Sequence, residues 1–288
     1  MNRPTIRRQW PLLLLFVLLT TSLVLAQRRW GRGWGRDFDQ YRTARDVPQH
    51  SYQTPNWTNE PGFEPDTFTF VRIKRDDAPY TRGASWDTDL PDSDLNLSYR
   101  LQQMTSMRVD PDGLILRLTE KELADYPFIY MVEPGSLYLS DREVDALRKY
   151  LLNGGFLWFD DFWGEDEWDN VETVMGRVFP DRRFVELPLT NKLYSCVFQI
   201  KSKGQIPNVR TGTFSQYTGV TWERPDAQEA HHRAIFDDHG RIMVFATHNT
   251  DNGDGWEWEG DNHYYFAEFA EKIAYPLAIN VIVYAMTH

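Results

Sequence analysis

The chain has 288 residues, 42 of them acidic against 31 basic, a net charge of −11 and a single cysteine. A surface that acidic repels phosphate backbones and anionic lipid, which excludes nucleic acid as a partner. One cysteine excludes an internal disulfide, so a protein with 41% apolar residues must be held by its core alone.

Arg3, Arg7 and Arg8 precede an apolar run from Trp10 through Leu19, and Val24-Leu25-Ala26 follows. A basic start, an apolar centre and a small residue at the end predict a secretory signal over residues 1–26, cut after Ala26, with the product exported to the periplasm or secreted. The alternative is an uncleaved N-terminal anchor, because Trp10 to Ala26 approaches the ~20 residues that span a bilayer. That segment is the only membrane contact expected, since no later stretch reads as long and apolar enough to cross. Without residues 1–26 the chain keeps 28 basic and 42 acidic side chains, a net charge of −14.

Residues 27–66 are rich in Arg, Gly, Pro, Gln and Asn without sustained periodicity, and read as a linker. Its start, Gln27 to Arg36, is basic and carries Trp30 and Trp34; it reads as a solvated leader, or functionally as a tether to anionic lipid or polymer. A folded domain is expected over 67–288. It begins at the alternating run Phe68 to Ile73, followed by a helix over Ser93 to Met107 and short strands at 107–109 and 113–116.

The clearest unit follows. Phe128-Ile129-Tyr130-Met131-Val132 is a continuous apolar run of the kind found in buried parallel strands. Ser140 and Glu143 form a capping box ahead of Val144, Leu147, Tyr150 and Leu151 at helical spacing, Asn153-Gly154-Gly155 stops that helix, and Phe156-Leu157-Trp158-Phe159 is the next buried strand. This βαβ unit makes the fold class α/β with a mostly parallel central sheet. A helix over Trp168 to Val178, strands at 184–187, 194–200, 232–236 and 241–247, a turn at Asp238-His239-Gly240, and a closing helix from Tyr264 to Met286 complete the prediction.

Three parts of the sequence, Tyr126 to Met131, Leu147 to Leu157 and the pair Asp160-Asp161, resemble the bacterial domain of unknown function 4159. So do Gly240 to Phe245 and Ala278 to Thr287. The resemblance implies a three-layer flavodoxin-like domain similar to class I glutamine amidotransferases, with helices on both faces of the sheet, and implies no activity, since the family has none assigned. Amidotransferases of that class place a nucleophilic Cys in the turn after the strand corresponding to Phe156–Phe159. Here that turn reads Asp160-Asp161-Phe162-Trp163-Gly164, and glutamine hydrolysis by a thiolate is excluded. Cys196 lies in an expected strand and reads as a buried structural residue.

In open α/β sheets, ligands bind outside the carboxyl ends of the strands, where strand order reverses. Asp160, Asp161 and Trp163 occupy such an end. Two adjacent carboxylates there could share a metal or act as acid and base; equally, one caps a turn while the run Glu165 to Asp169 favours a helix dipole. The second candidate is the loop His248 to Glu259, with His248, Asn249, Asp251, Asp254 and Trp256 as ligand-binding residues. Read from Thr250 it imitates a calcium loop, but the first position is Thr and the twelfth is Asp261, so no metal is assigned. Trp256 and Trp258 could form a sugar platform or simply pack in the core. His231, His232, His248 and His263 lack zinc spacing, and no pattern names a cofactor.

The function expected is non-catalytic binding of a ligand, carbohydrate or envelope protein at the carboxyl edge of the sheet. The alternative is a metal-dependent hydrolase acting on carbohydrate or cell-envelope material, using Asp160, Asp161, His248 and Asp251. The two site candidates stand together only if the turn after Phe159 meets the loop after Thr247.

Overall fold

A computed structural model describes residues 40–49, 54–62, 66–76 and 85–288; the expected signal segment 1–26 and the basic leader 27–36 lie outside them. Residues from Tyr41 onward form one compact unit. The run expected as a single strand at Phe68 divides into β1 (Thr67–Phe68) and β2 (Val71–Ile73), which enter different sheets. Helix α1 (Asp92–Met104) leads to β3 (Arg108–Val109), which pairs with β1 in parallel, and to β4 (Leu114–Leu116), which pairs with β2. The predicted unit then appears as β5 (Phe128–Val132), α2 (Asp141–Leu152) and β6 (Phe156–Asp160), with β5 and β6 parallel over five residue pairs.

Helix α3 (Gly164–Val178), β7 (Val185–Glu186) and helix α4 (Val209–Thr218) follow. Antiparallel β8 (His231–Phe236) and β9 (Ile242–His248), short helix α5 (Asn252–Glu257) and long helix α6 (His263–Thr287) close the chain. The main sheet has the order β4-β2-β5-β6-β9-β8-β7. From β4 to β9 every pairing is parallel; β8 runs against both its neighbours.

Alternation along the central strands sorts their side chains onto two faces. Phe128, Tyr130, Phe156 and Trp158 join Leu97 and Leu101 of α1 and Leu277, Ala278 and Val281 of α6. Ile129, Met131, Leu157 and Phe159 join Val144, Leu147 and Leu151 of α2 and Trp168, Val171 and Met175 of α3. Both faces of these strands are therefore apolar, which is why they read as unbroken hydrophobic runs. Each such side chain contributes roughly 1.5–3 kcal/mol on burial.

Several expectations are corrected. The stretch 27–66 is not all linker: Ala44 and Val47 are buried, Ile115 N–H donates to the Arg42 carbonyl, and Trp57 Nε1 donates to the Val109 carbonyl at 3.0 Å. No strand forms over 194–200. Lys192–Tyr194 is a 3-10 turn, and Asn280 of α6 takes the strand's place: its Oδ1 accepts from Val197 and Phe198 N–H, and its Nδ2 donates to the Phe198 carbonyl. Cys196 consequently sits exposed outside any strand, its thiol pushed up by partial burial. Helix α6 is long and apolar enough, by length and composition, to cross a membrane, contrary to expectation, yet Leu277, Ile279, Val281 and Ile282 are buried in the core. Helix α4 was not foreseen because Phe214 and Tyr217 are exposed and leave no apolar stripe; Asn208 and Gly219, at φ 70°, supply its caps.

The capping box of α2 is present, with Glu143 N–H donating to Ser140 Oγ and Ser140 N–H donating to Glu143 Oε2 at 2.9 Å. Ser140→Ala removes one half of it. The expected loss is about 1 kcal/mol of stability, read as a fall of roughly 2–4 °C in melting temperature.

Candidate functional site

The turn after β6 and the segment after β9 meet, as both site candidates required: Asn249 N–H donates to the Phe162 carbonyl at 2.8 Å. At the centre of the junction Asp160 is fully buried and accepts five hydrogen bonds. Oδ1 takes Thr247 Oγ1 (2.6 Å) and Asn252 Nδ2 (2.7 Å); Oδ2 takes Tyr130 Oη (2.9 Å) and the backbone N–H groups of Asn252 (3.0 Å) and Gly253 (3.1 Å). Burial pushes this carboxyl up and the five donors pull it back. Two oxygens offer about four lone-pair directions, so Asp160 has nothing left for a ligand. It ties β5, β6 and β9 to the N-terminus of α5.

Asp161 points elsewhere. Its backbone is left-handed, φ 55°, and its carboxylate opens into a cleft of about 280 Å³, accepting from Trp163 Nε1 at 2.9 Å. The cleft is built from strand-end loops. Asp89 comes from the turn between β2 and α1, Glu133 directly follows β5, Asp161 and Trp163 follow β6, and Asp251 and Asp254 follow β9. Glu167 of α3, and Asn208, Glu223 and Arg224 from around α4, complete its walls. Arg224 pairs with Glu167 and is the one base on a lining with seven acids.

The loop expected over 248–259 is instead a capped helix. Asp251 Oδ1 accepts from Asp254 N–H at 2.8 Å, starting α5 at Asn252. Asp254 in turn accepts from Val209 N–H through Oδ2 (2.7 Å) and from Trp258 Nε1 through Oδ1 (3.2 Å). At Gly253 a Cβ would collide with Asp89 Oδ2, so a larger residue there displaces the Asp89 carboxylate. The calcium-loop pattern read from Thr250 is thus excluded by helix formation, although two of its carboxylates do face the cleft.

The other expected site residues serve packing. His248 is buried, stacked 4.9 Å from Phe162; its Nε2 donates to the Gly164 carbonyl at 3.0 Å while Nδ1 accepts from Arg233 at 3.0 Å. Burial pushes this imidazole down to about 4. Asn249, φ 59°, accepts from Gly164 N–H and donates to the Glu229 carbonyl. Trp256 is fully buried between Tyr130 and Trp158, which removes a sugar platform. His232 faces away from His231 and bonds Tyr194 Oη at 2.9 Å. Among the described residues, the group of metal-ligating side chains that converges is Asp89, Asp251 and Asp254.

The sequence reading missed Asp89, Glu133, Glu167 and Glu223. Glu133 was within reach of it, since it immediately follows the clearest strand and the strand-end rule applies there as it does to Asp161. Asp89 had no signal. Its place is set by Arg72 of β2, a buried guanidinium that grips Asp94 through Nε and donates to the Trp86 and Thr88 carbonyls, pinning the turn that carries Asp89.

Like charges dominate the electrostatics. Burial is the first cause and neighbouring carboxylates the second in pushing Asp89, Asp161 and Asp251 well above the usual carboxylate range. A pair of charges 4–5 Å apart at an effective dielectric of ~20 repels by on the order of 3–4 kcal/mol. Glu133 is pushed up to about 8 by burial, then by Glu167 and Glu223, against relief from Arg75 and Arg224.

Two outcomes follow from this geometry. Asp160→Ala removes the acceptor of five buried donor groups, and the expected loss exceeds about 3 kcal/mol in denaturant unfolding. Glu133 binds its proton more tightly folded than unfolded, so between its ordinary value of 4.5 and about 8 the native state holds the extra proton. Stability therefore falls as pH rises through that window and recovers on acidification toward pH 5. Melting curves in chelator at fixed ionic strength check this; Glu133→Gln flattens the decline and melts higher than the parent at pH 8.

No curated protein matches the chain. A family model described as a domain of unknown function (DUF4159) matches residues 69–286, which spans the sheet, its helices and every residue of the cleft. The chain belongs to the DUF4159 family.

Proposed function

We propose that this is an exported, non-catalytic binding domain whose ligand is cationic and sits in the acidic cleft at the carboxyl edge of the sheet. The observation that carries the reading is the cleft's lining of seven carboxylates against a single arginine. Such a lining repels phosphate and carboxylate ligands and focuses positive charge.

The position supports the reading as well. The parallel strands β4-β2-β5-β6-β9 follow the 2-1-3-4-5 order of flavodoxin-like sheets, in which strand order reverses between β2 and β5. Asp89 and Glu133 flank that reversal. The resemblance to class I amidotransferases fits this order, with Asp161 in the turn where their thiolate would stand. The hydrolase alternative called on Asp160 and His248, and both spend their polar atoms inside the fold. Export rests on the signal-like segment 1–26; a cut after Ala26 would leave the basic stretch 27–36 attached to the acidic domain.

The test is a thermal-shift series on the purified protein at constant ionic strength, using divalent cations, diamines and guanidinium compounds against neutral sugars. Cations should raise the melting temperature saturably and sugars should not. The double variant Asp161→Asn, Glu223→Gln should fold and weaken the apparent affinity at least tenfold. No cation outperforming sodium chloride would refute the proposal.

A further inference from the structure

Within the acidic cleft one corner has the dimensions of a coordination sphere. Asp89, Asp251 and Asp254 each bring one carboxylate oxygen to within 4.8 Å of the other two. Two oxygens bound to one calcium ion at 2.3–2.6 Å lie up to about 5 Å apart, so all three fit around a single ion.

A second observation points to a ligand independently of that clustering. Asp89 is 8% exposed and its Oδ2 is buried without a hydrogen-bond partner, directed at the backbone of Gly253 in the first turn of α5. A buried carboxylate oxygen with no donor is rare in folded proteins, and a proton shared with Asp254 or a bound cation would satisfy it. The neighbouring residues are arranged to keep it there. Arg72 holds the turn from below through the Trp86 and Thr88 carbonyls, and glycine at 253 is the residue type that admits Asp89 so close to the helix.

We infer that Asp89, Asp251 and Asp254 form a binding site for a hard divalent cation, calcium or magnesium. This rests on the cationic-ligand reading above and gives that ligand its chemistry. The donor set is oxygen alone. His248, the nearest imidazole in sequence, bonds the Gly164 carbonyl and Arg233, so the soft and borderline metals that prefer nitrogen or sulfur have no ligand to select them. The hydrogen bonds that Asp251 accepts from Asp254 N–H, and Asp254 from Val209 N–H and Trp258 Nε1, hold both carboxylates in place and leave lone pairs for an ion. The adjoining cleft of about 280 Å³ has room for the water molecules that would complete six or more ligands.

The bond from Trp258 Nε1 to Asp254 Oδ1, 3.2 Å, places an indole beside the site and provides the readout. Terbium added to chelator-treated protein should luminesce on excitation of tryptophan, and calcium should displace it saturably. Calorimetric titration with calcium and magnesium then separates the two ions, the flexible carboxylate set favouring calcium at least tenfold. Asp89→Asn, which relieves repulsion and leaves the cap of α5 intact, should fold and bind calcium at least tenfold more weakly. Asp254→Asn is the second variant should the first fail to fold, and Asp145→Asn on the exposed side of α2 should bind as the parent does. Absence of saturable calcium or magnesium binding, or parental affinity in a folded Asp89→Asn or Asp254→Asn variant, overturns the inference. If diamines or guanidinium compounds stabilise the same preparation while neither divalent ion does, this site falls and the cationic-ligand proposal stands; if nothing positive stabilises it, both fall.

Discussion

A carboxylate shut away from solvent is tolerated only where protein donors replace the water it has lost, and Asp160 receives five of them. Those donors come from β5, β9 and α5, while Asp160 itself ends β6. One side chain thus links three strands to the start of the helix after β9. Because α5 is anchored by its first two N–H groups, Asp251 and Asp254 are carried to a fixed position above the sheet. The cleft is downstream of that anchoring. The bond from Asn249 N–H to the Phe162 carbonyl holds the same segment against the turn after β6.

The same strand ends carry unusual backbone. Asp89, Glu133, Asp161 and Asn249 are the non-glycine residues at positive φ among the described residues, and three of them directly follow parallel strands. Each such conformation is worth about 1–3 kcal/mol of strain, which the surrounding contacts must offset. Glu133 is a clear case: Arg75 donates to its carbonyl at 2.6 Å and fixes the peptide. Three of the four put a carboxylate into one cleft. Strain and repulsion therefore accumulate in the same place, which a fold selected for stability alone would shed by Gly or Asn substitutions. The core below supplies the stability that offsets both, with Phe128, Phe70, Tyr130 and Trp158 packed ring against ring in series on one face of the sheet.

How much of this was legible in the sequence depended on how local the cause was. The unit from Phe128 to Phe159 was readable because a two-faced buried strand, a capping box and an Asn-Gly-Gly stop are all written in adjacent residues. Asp161 was readable as a strand-end acid. Asp160 looked identical to it and has the opposite role, since which carboxylate turns inward depends on Tyr130, Thr247 and Asn252, far apart in sequence. Helix α5 was hidden because Asn-Gly-Asp-Gly has the composition of a turn; only Asp89 and Ala274 pressing on the two glycines explain why they stand in a helix. Asp89 was invisible, because its position is dictated by Arg72 through a loop that has no periodicity.

The charge of the whole chain and the charge of the cleft act in the same direction. A chain at net −14 without residues 1–26 carries a long-range field that concentrates cations near its surface, and a low-dielectric cleft lined with acids focuses that field at one point. The field falls off over about 10 Å in 0.1 M salt, so it gathers positive ligands only close to the surface and does not select among them. Selection must come from the geometry inside, where Asp89, Asp251 and Asp254 meet and Glu133, Asp161 and Glu223 stand around them. The acids there are held in strained, mutually repelling positions, and a bound cation would relieve them as protonation does.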